Sequence, residues 1–222
     1  MYFLLLIIAA IVSLYAQFKV KSNFEKFSEV YAKSGYTGAQ VAQAMLSRRG
    51  INDVTVQEVQ GSLTDHYDPK AKAVRLSQTV YGSTSLSAVS VAAHEVGHAI
   101  QDNEDYVFMK FRYLLAPVAS FTSNFVYVLV LLGLFINVME LVDLGIILFS
   151  VAVLFQIITL PVELDASRRA LANLQTDGFV TVDEIGASKK VLGAAALTYL
   201  AAMSYSIIEL LRLIAIRNSR RD

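Results

Sequence analysis

From Tyr113 to Leu160 the chain is almost wholly apolar, broken only around Asn137-Val138-Met139-Glu140 and at Asp143. A membrane-crossing helix needs about 20 apolar residues, so this run divides into two spans, roughly 113–136 and 144–160, joined by a short acidic turn. Two core helices of a soluble bundle would each keep a polar face, and these barely do. Tyr2 to Gln17 carries no charge and is followed by Lys19 and Lys21. Without a basic leader or a good cleavage site, it reads as an uncleaved anchor instead of a signal peptide. Val191 to Ile216 is apolar but holds Glu209 and Arg212, so a fourth span and an interfacial helix both stay open. A hydrophobic content of 55% agrees with a membrane protein.

Charge near the span ends orients this arrangement. Lys19, Lys21 and Lys26 follow the first span, Lys110 and Arg112 precede the second, and Arg168 and Arg169 follow the third. The turn between the second and third carries no Lys or Arg. Because basic loops stay in the cytosol, the expectation is an outside N-terminus and a multi-pass protein of the plasma membrane. Residues 1–17 are then an anchor, 18–112 a cytosolic segment, 113–161 a transmembrane hairpin, 162–190 a second cytosolic segment, and 191–222 an apolar helix with a basic tail. Arg217, Arg220 and Arg221 conflict with a fourth span that ends outside.

The segment 18–112 has mixed α and β patterning. Tyr36 to Leu46 has helical spacing, with Gly50 as its stop. Val54–Val59 and Ala71–Leu76 alternate as strands, with turn-rich residues 61–70 between them. From Ser85 the chain reads as a helix with Ser83 or Ser85 as N-cap and an end at Asp102-Asn103.

That helix contains His94-Glu95-Val96-Gly97-His98. Residues four apart share a helix face, so both imidazoles can turn toward one ion. Glu95 sits beside that face, where a general base for a water on zinc belongs. The chain has no cysteine, so any metal must be held by His, Asp, Glu or backbone oxygen. With two imidazoles and a carboxylate on a strongly apolar helix, burial without a partner would be costly. A third ligand is still needed. Asp102, Glu104 and Asp105 follow the helix too closely and would have to fold back. Glu163 is better placed, because two spans separate it from His98 and an even number of crossings returns it to the same membrane face. Two histidines and a carboxylate leave a position for water, as a catalytic zinc site requires. Asp165, off the Glu163 face, is the lesser candidate and could orient a histidine from behind.

Four ordered blocks carry a family resemblance: DHYDPKAKAVRLS (65–77), AAHEVGHAIQ (92–101), PVELDASRRAL (161–171) and VLGAAALTYLAAM (191–203). In these the chain resembles the YugP-like, zinc-dependent membrane peptidases of bacteria, from about residue 17 onward. The resemblance implies a gluzincin-type zinc endopeptidase: a mainly α membrane protein with a small cytosolic α+β, zincin-like part carrying the HExxH helix. One catalytic Zn2+ would be held by His94, His98 and Glu163, with Glu95 as the catalytic base. The chain is similar, more distantly, to the HtpX type of peptidase, where the third glutamate is followed by an Ala-Asp step. Ala166 takes the alanine position here, and Ser167 stands where the aspartate would be.

His66, inside the first block, reads equally as an oxyanion or outer residue of the site and as a structural hydrogen-bonding residue. The strand 71–76 is expected to offer an edge to an extended substrate. Tyr199 and Tyr205 read as packing residues of an interfacial or spanning helix. The partners expected are protein or peptide substrates, membrane-associated, and the lipid bilayer. With 19 basic and 19 acidic residues, no global field points to nucleic acid. The competing function is a zinc-binding membrane scaffold or chaperone without hydrolysis, against which Glu95 speaks. A transporter would place ionisable residues inside the first three spans, and these have essentially none.

Overall fold

The structure, a computed structural model, describes residues 2–219 apart from the side chains of Ser123 and Asn124. Arg220 and Arg221 of the basic tail lie outside the described residues. In chain order the elements are α1 (Tyr2–Ser28), α2 (Gly38–Arg48), β1 (Thr55–Val59), β2 (His66–Asp68), β3 (Ala73–Ser77), α3 (Gln78–Tyr81), α4 (Leu86–Asn103), α5 (Val107–Phe135), α6 (Met139–Thr176) and α7 (Ile185–Asn218). They form two compact units. An apolar unit takes the residues up to Tyr15, Val107–Pro161 and those from Thr198 on; an α+β unit takes Ala16–Tyr106 and Val162–Leu197.

Within the apolar helices, α1, α6 and α7 are each long and apolar enough to cross a membrane. Helix α5 makes a fourth candidate if Val107–Thr122 and Phe125–Phe135, bent by 44°, count as one span. The sequence left Val191–Ile216 undecided; by length and composition α7 belongs with the candidate spans. Val126 and Val130 of α5, Val142, Phe149 and Val153 of α6, and Leu213 of α7 form the core of the apolar unit. The α5–α6 hairpin is tight, since a Cβ on Gly145 would sit 2.6 Å from Val130 Cγ2. Phe121, Leu131, Phe135 and Ile147 turn outward and stay exposed. Water penalises such a surface and lipid does not.

Arg217 is not a lone cation at the end of α7. Its guanidinium donates to both carboxylate oxygens of Asp143, at 2.7 and 3.0 Å. Arg212 is likewise paired with Glu209 on the same helix, at 2.6 and 2.8 Å. Phe3, Leu6 and Ile7 of α1 share a cleft with Tyr127, Tyr205, Glu209 and Arg212. The start of α1, the start of α6 and the last turns of α7 therefore gather at one end of the apolar unit. The Asp143 carboxylate offsets the Arg217 charge, one of the three that spoke against a fourth span. Asp143→Leu should lower the melting temperature by leaving Arg217 without its partner, and Asp143→Leu with Arg217→Leu should recover most of the loss. A double variant no more stable than Asp143→Leu would show that an unpaired Arg217 carries no penalty.

In the α+β unit, α2 begins with a capping box. Thr37 Oγ1 accepts from the Gln40 backbone N–H at 3.2 Å, and Gln40 Oε1 accepts from the Thr37 N–H at 2.9 Å. Gly50, at φ +69°, follows its last turn, as the sequence suggests. The sheet has strand order β1-β3-β2, with β1 parallel and β2 antiparallel to β3. This corrects the expected edge at 71–76: β3 is the central strand, hydrogen-bonded on both sides, and the free edges belong to β1 and β2. The residues 61–70 contain a strand of their own, His66–Asp68. Asp68 Oδ1 then accepts the Lys70 and Ala71 N–H groups at 3.0 Å each and turns the chain back into β3. Burial on both faces, with Ala73, Val74, Leu76 and Ser77 all inaccessible, explains why β3 alternates only loosely. Ser85 caps α4 by accepting from the Ala88 N–H at 3.2 Å, and α4 is buried along most of its length.

Candidate metal centre

Helix α4 carries His94 and His98 one turn apart, with ring centroids separated by 4.7 Å. What brings α6 to them is Gly97, between the two histidines. A Cβ built there would lie 2.7 Å from the Ala166 carbonyl oxygen, so the α4 and α6 backbones meet with no side chain between them. Ala166, with no exposed surface, is the small partner of this contact. Glu163, one turn before Ala166, and Ser167, directly after it, are thereby aimed at the histidines.

Glu163 Oε2 lies 3.2 Å from His94 Nε2 and 3.5 Å from His98 Nε2. One ligand atom from each of the three residues falls within 4.8 Å of the others, the one such group among the described residues. The donor set, two imidazole nitrogens and one carboxylate oxygen, suits a zinc ion, whose catalytic sites take three protein ligands. Burial pushes the Glu163 carboxyl up, but the hydrogen bonds and charge of His94 and His98 outweigh it and hold the carboxyl well below its usual range.

The far nitrogens of both rings are also engaged. Ser167 Oγ is 3.2 Å from His94 Nδ1, so the hydroxyl directly after Ala166 reaches a histidine. Gln101 Oε1 is 3.0 Å from His98 Nδ1. Asp165 stands one link further out than the sequence placed it. It accepts from Gln101 Nε2 at 3.0 Å and Arg169 Nε at 2.5 Å, and it pairs with Arg168. Burial raises the Asp165 carboxyl, and its bonds from Gln101, Arg169 and Arg168 bring it back below its ordinary value. Arg169 also donates to Glu104 at 2.6 Å.

Glu95 is 8% exposed, and among the described residues it makes no hydrogen bond or ion pair. Of the alternative ligands, Asp102 accepts from Tyr67 Oη and Lys72 Nζ, each at 2.8 Å. Glu104 holds Arg169, and neither these two nor Asp105 joins the group. His66 is exposed on β2, with Nδ1 2.8 Å from the Thr64 carbonyl and Nε2 3.5 Å from Arg75 Nη1, and it too lies outside the group. Tyr199 and Tyr205 sit on α7 in the apolar unit. Sequence reasoning missed Gln101 and the reason for Gly97. A glutamine one turn past the second histidine was a readable signal, and so was a glycine inside an otherwise strong helix.

Candidate spans and a His94, His98 and Glu163 group that could hold a metal ion define a class in coarse terms, the mainly helical proteins with candidate membrane spans and a candidate metal site. The chain belongs to the family described as "Putative neutral zinc metallopeptidase", whose model matches residues 2–218. It is 51% identical over 223 residues to the "Putative membrane protease YugP" of Bacillus subtilis (strain 168), covering 100% of this chain and 99% of the relative. No solved structure matches the chain.

Proposed function

We propose that the protein is a membrane-embedded zinc endopeptidase in which His94, His98 and Glu163 hold the ion and Glu95 is the catalytic base. The observation that carries this reading is the convergence of both Nε2 atoms on one Glu163 oxygen, while both Nδ1 atoms are committed to other partners. Zinc, when bound, polarises the scissile carbonyl and lowers the pKa of a water to about 7. The remaining work falls to the chain. Glu95 takes the proton of the attacking water and passes it to the departing amine nitrogen. Ser167 and Gln101 keep the two rings turned toward Glu163. Glu95 makes no hydrogen bond or ion pair among the described residues, and a closed structural site would have no use for that carboxylate, which weighs against the scaffold or chaperone reading.

The substrates we infer are membrane proteins or their membrane-proximal segments, because Glu163 follows the apolar stretch of α6 within two residues of Pro161. The basic residues flanking the spans support a cytosolic α+β unit. The test is zinc binding by purified full-length protein. Wild type should hold one ion per chain, and Glu163→Ala should weaken binding by more than about 100-fold, beyond what an outer partner contributes. Asp165→Ala should cost only about tenfold. A larger loss in Asp165→Ala than in Glu163→Ala would mean that the ligand is misassigned.

A further inference from the structure

Gln101 is fully buried and reaches across from α4 to α6. Its Nε2 lies 2.8 Å from the Val162 carbonyl oxygen and 3.0 Å from Asp165 Oδ2. A primary amide has two N–H donors and one acceptor oxygen. Val162 offers only a carbonyl, and Asp165 offers a carboxylate paired with Arg168 and Arg169. Both neighbours accept and neither donates, so the amide nitrogen must face α6. The amide oxygen then faces His98 Nδ1, 3.0 Å away, and an oxygen can only accept. Turning the amide over would set an oxygen against a carbonyl and a carboxylate at a side chain with no exposed surface.

We propose that Gln101 is a positioning residue that holds His98 with its proton on Nδ1, leaving Nε2 as the lone-pair nitrogen that faces Glu163. The inference rests on the zinc reading of the site. The two histidines are held differently. Ser167 meets His94 with a hydroxyl, which donates or accepts as required, so that contact orients the ring without choosing its tautomer. At His98 two acceptors compete for the one proton of the neutral ring, Gln101 Oε1 at 3.0 Å from Nδ1 and Glu163 Oε2 at 3.5 Å from Nε2. The nearer one, fixed in place because its amide is anchored at both hydrogens, sets the choice. Asp165 therefore acts on the metal group through Gln101, and Arg169, bonded to both Asp165 and Glu104, extends the tie to the end of α4.

The chain has three histidines, so full-length protein carrying nitrogen-15 histidine in detergent gives separable ring signals for His66, His94 and His98. In zinc-free wild type at alkaline pH, where the rings are neutral, His98 should carry its proton on Nδ1. Gln101→Met keeps the volume and removes both the acceptor and the anchor. It should move the proton to Nε2 and weaken zinc binding by about 10–100-fold. A loss of packing alone would not move the tautomer. Should Gln101→Met fail to fold, Asp165→Ala perturbs the same relay from its far end, and a shift of the His98 proton toward Nε2 is expected there. An Nε2 proton in wild type overturns the proposal, and so does an unchanged tautomer with unchanged zinc affinity in the variants. If wild type binds no zinc, the metal reading fails, while the zinc-free tautomer measurement still decides the role of Gln101.

Discussion

Glu95→Gln is expected to keep one zinc ion per chain and to lose peptide cleavage by about 10²–10⁴-fold, the usual contribution of a positioned acid–base group. The substitution preserves the size of the side chain and its hydrogen-bonding reach, and it removes the ability to take up a proton. Little else should change. Glu95 makes no hydrogen bond or ion pair among the described residues, so the glutamine leaves no partner stranded. Nor does Glu95 belong to the group formed by His94, His98 and Glu163, so the metal content should hold. His94→Ala is the contrast, because it removes a nitrogen of that group and should lose both zinc and cleavage. Metal analysis of the purified variants, run beside hydrolysis of a reporter peptide, separates these outcomes. Cleavage at the wild-type rate by Glu95→Gln would remove Glu95 from the chemistry. Zinc lost in equal measure from both variants would mean that Glu95 holds the ion and is not its base.

The parts of this architecture that were legible in the sequence share a physical cause: their signals are local or can be counted along the chain. The apolar run at 113–160 announces its helices through composition, and His94 and His98 announce a shared face through a spacing of four. Glu163 was reachable because the two intervening apolar helices, read as spans, make an even number of crossings. The features that stayed hidden depend on contacts between distant segments. Strand β2 is three residues long inside a turn-rich stretch, where no periodicity can show. That β3 lies in the middle of the sheet depends on which strands pair, and the pattern of 71–76 alone does not say. Arg217 looked like an obstacle to a fourth span because its partner Asp143 lies 74 residues away. Gln101 reads in sequence as an ordinary polar residue near a helix end. Its meaning comes from Val162 and Asp165, more than 60 residues later. For Ser167, only the geometry shows that a hydroxyl directly after Ala166 reaches His94.

Gly97→Ala sets two effects against each other, and their magnitudes decide the sign. Helix propensity favours alanine over glycine by about 1 kcal/mol in a helix interior, so the substitution would stabilise an isolated α4. In the folded protein the new Cβ would meet the Ala166 carbonyl oxygen at 2.7 Å, and the Ala166 Cα and carbonyl carbon at 3.2 Å. These are backbone atoms, which cannot swing aside as the end of a flexible side chain can. Overpacking of this kind costs about 1–3 kcal/mol, enough to cancel the propensity gain and reverse it. The helices can relieve the contact only by moving apart, and Glu163 and Ser167 ride on the same face of α6 as Ala166. A shift of even a few tenths of an ångström lengthens the 3.2 Å and 3.5 Å approaches of Glu163 to the two imidazoles. Zinc affinity should therefore fall by at least about tenfold, the scale on which disturbed supporting contacts act on a metal site. Gly193→Ala is the matched control. Gly193 lies inside α7, where a Cβ would meet nothing within 4 Å, so only the propensity term applies and stability should rise by up to about 1 kcal/mol. Thermal melts of the zinc-free variants and zinc titrations of each give the comparison. If Gly97→Ala proves as stable and as tight for zinc as Gly193→Ala, the backbone contact at Ala166 is not what delivers Glu163 to the histidines.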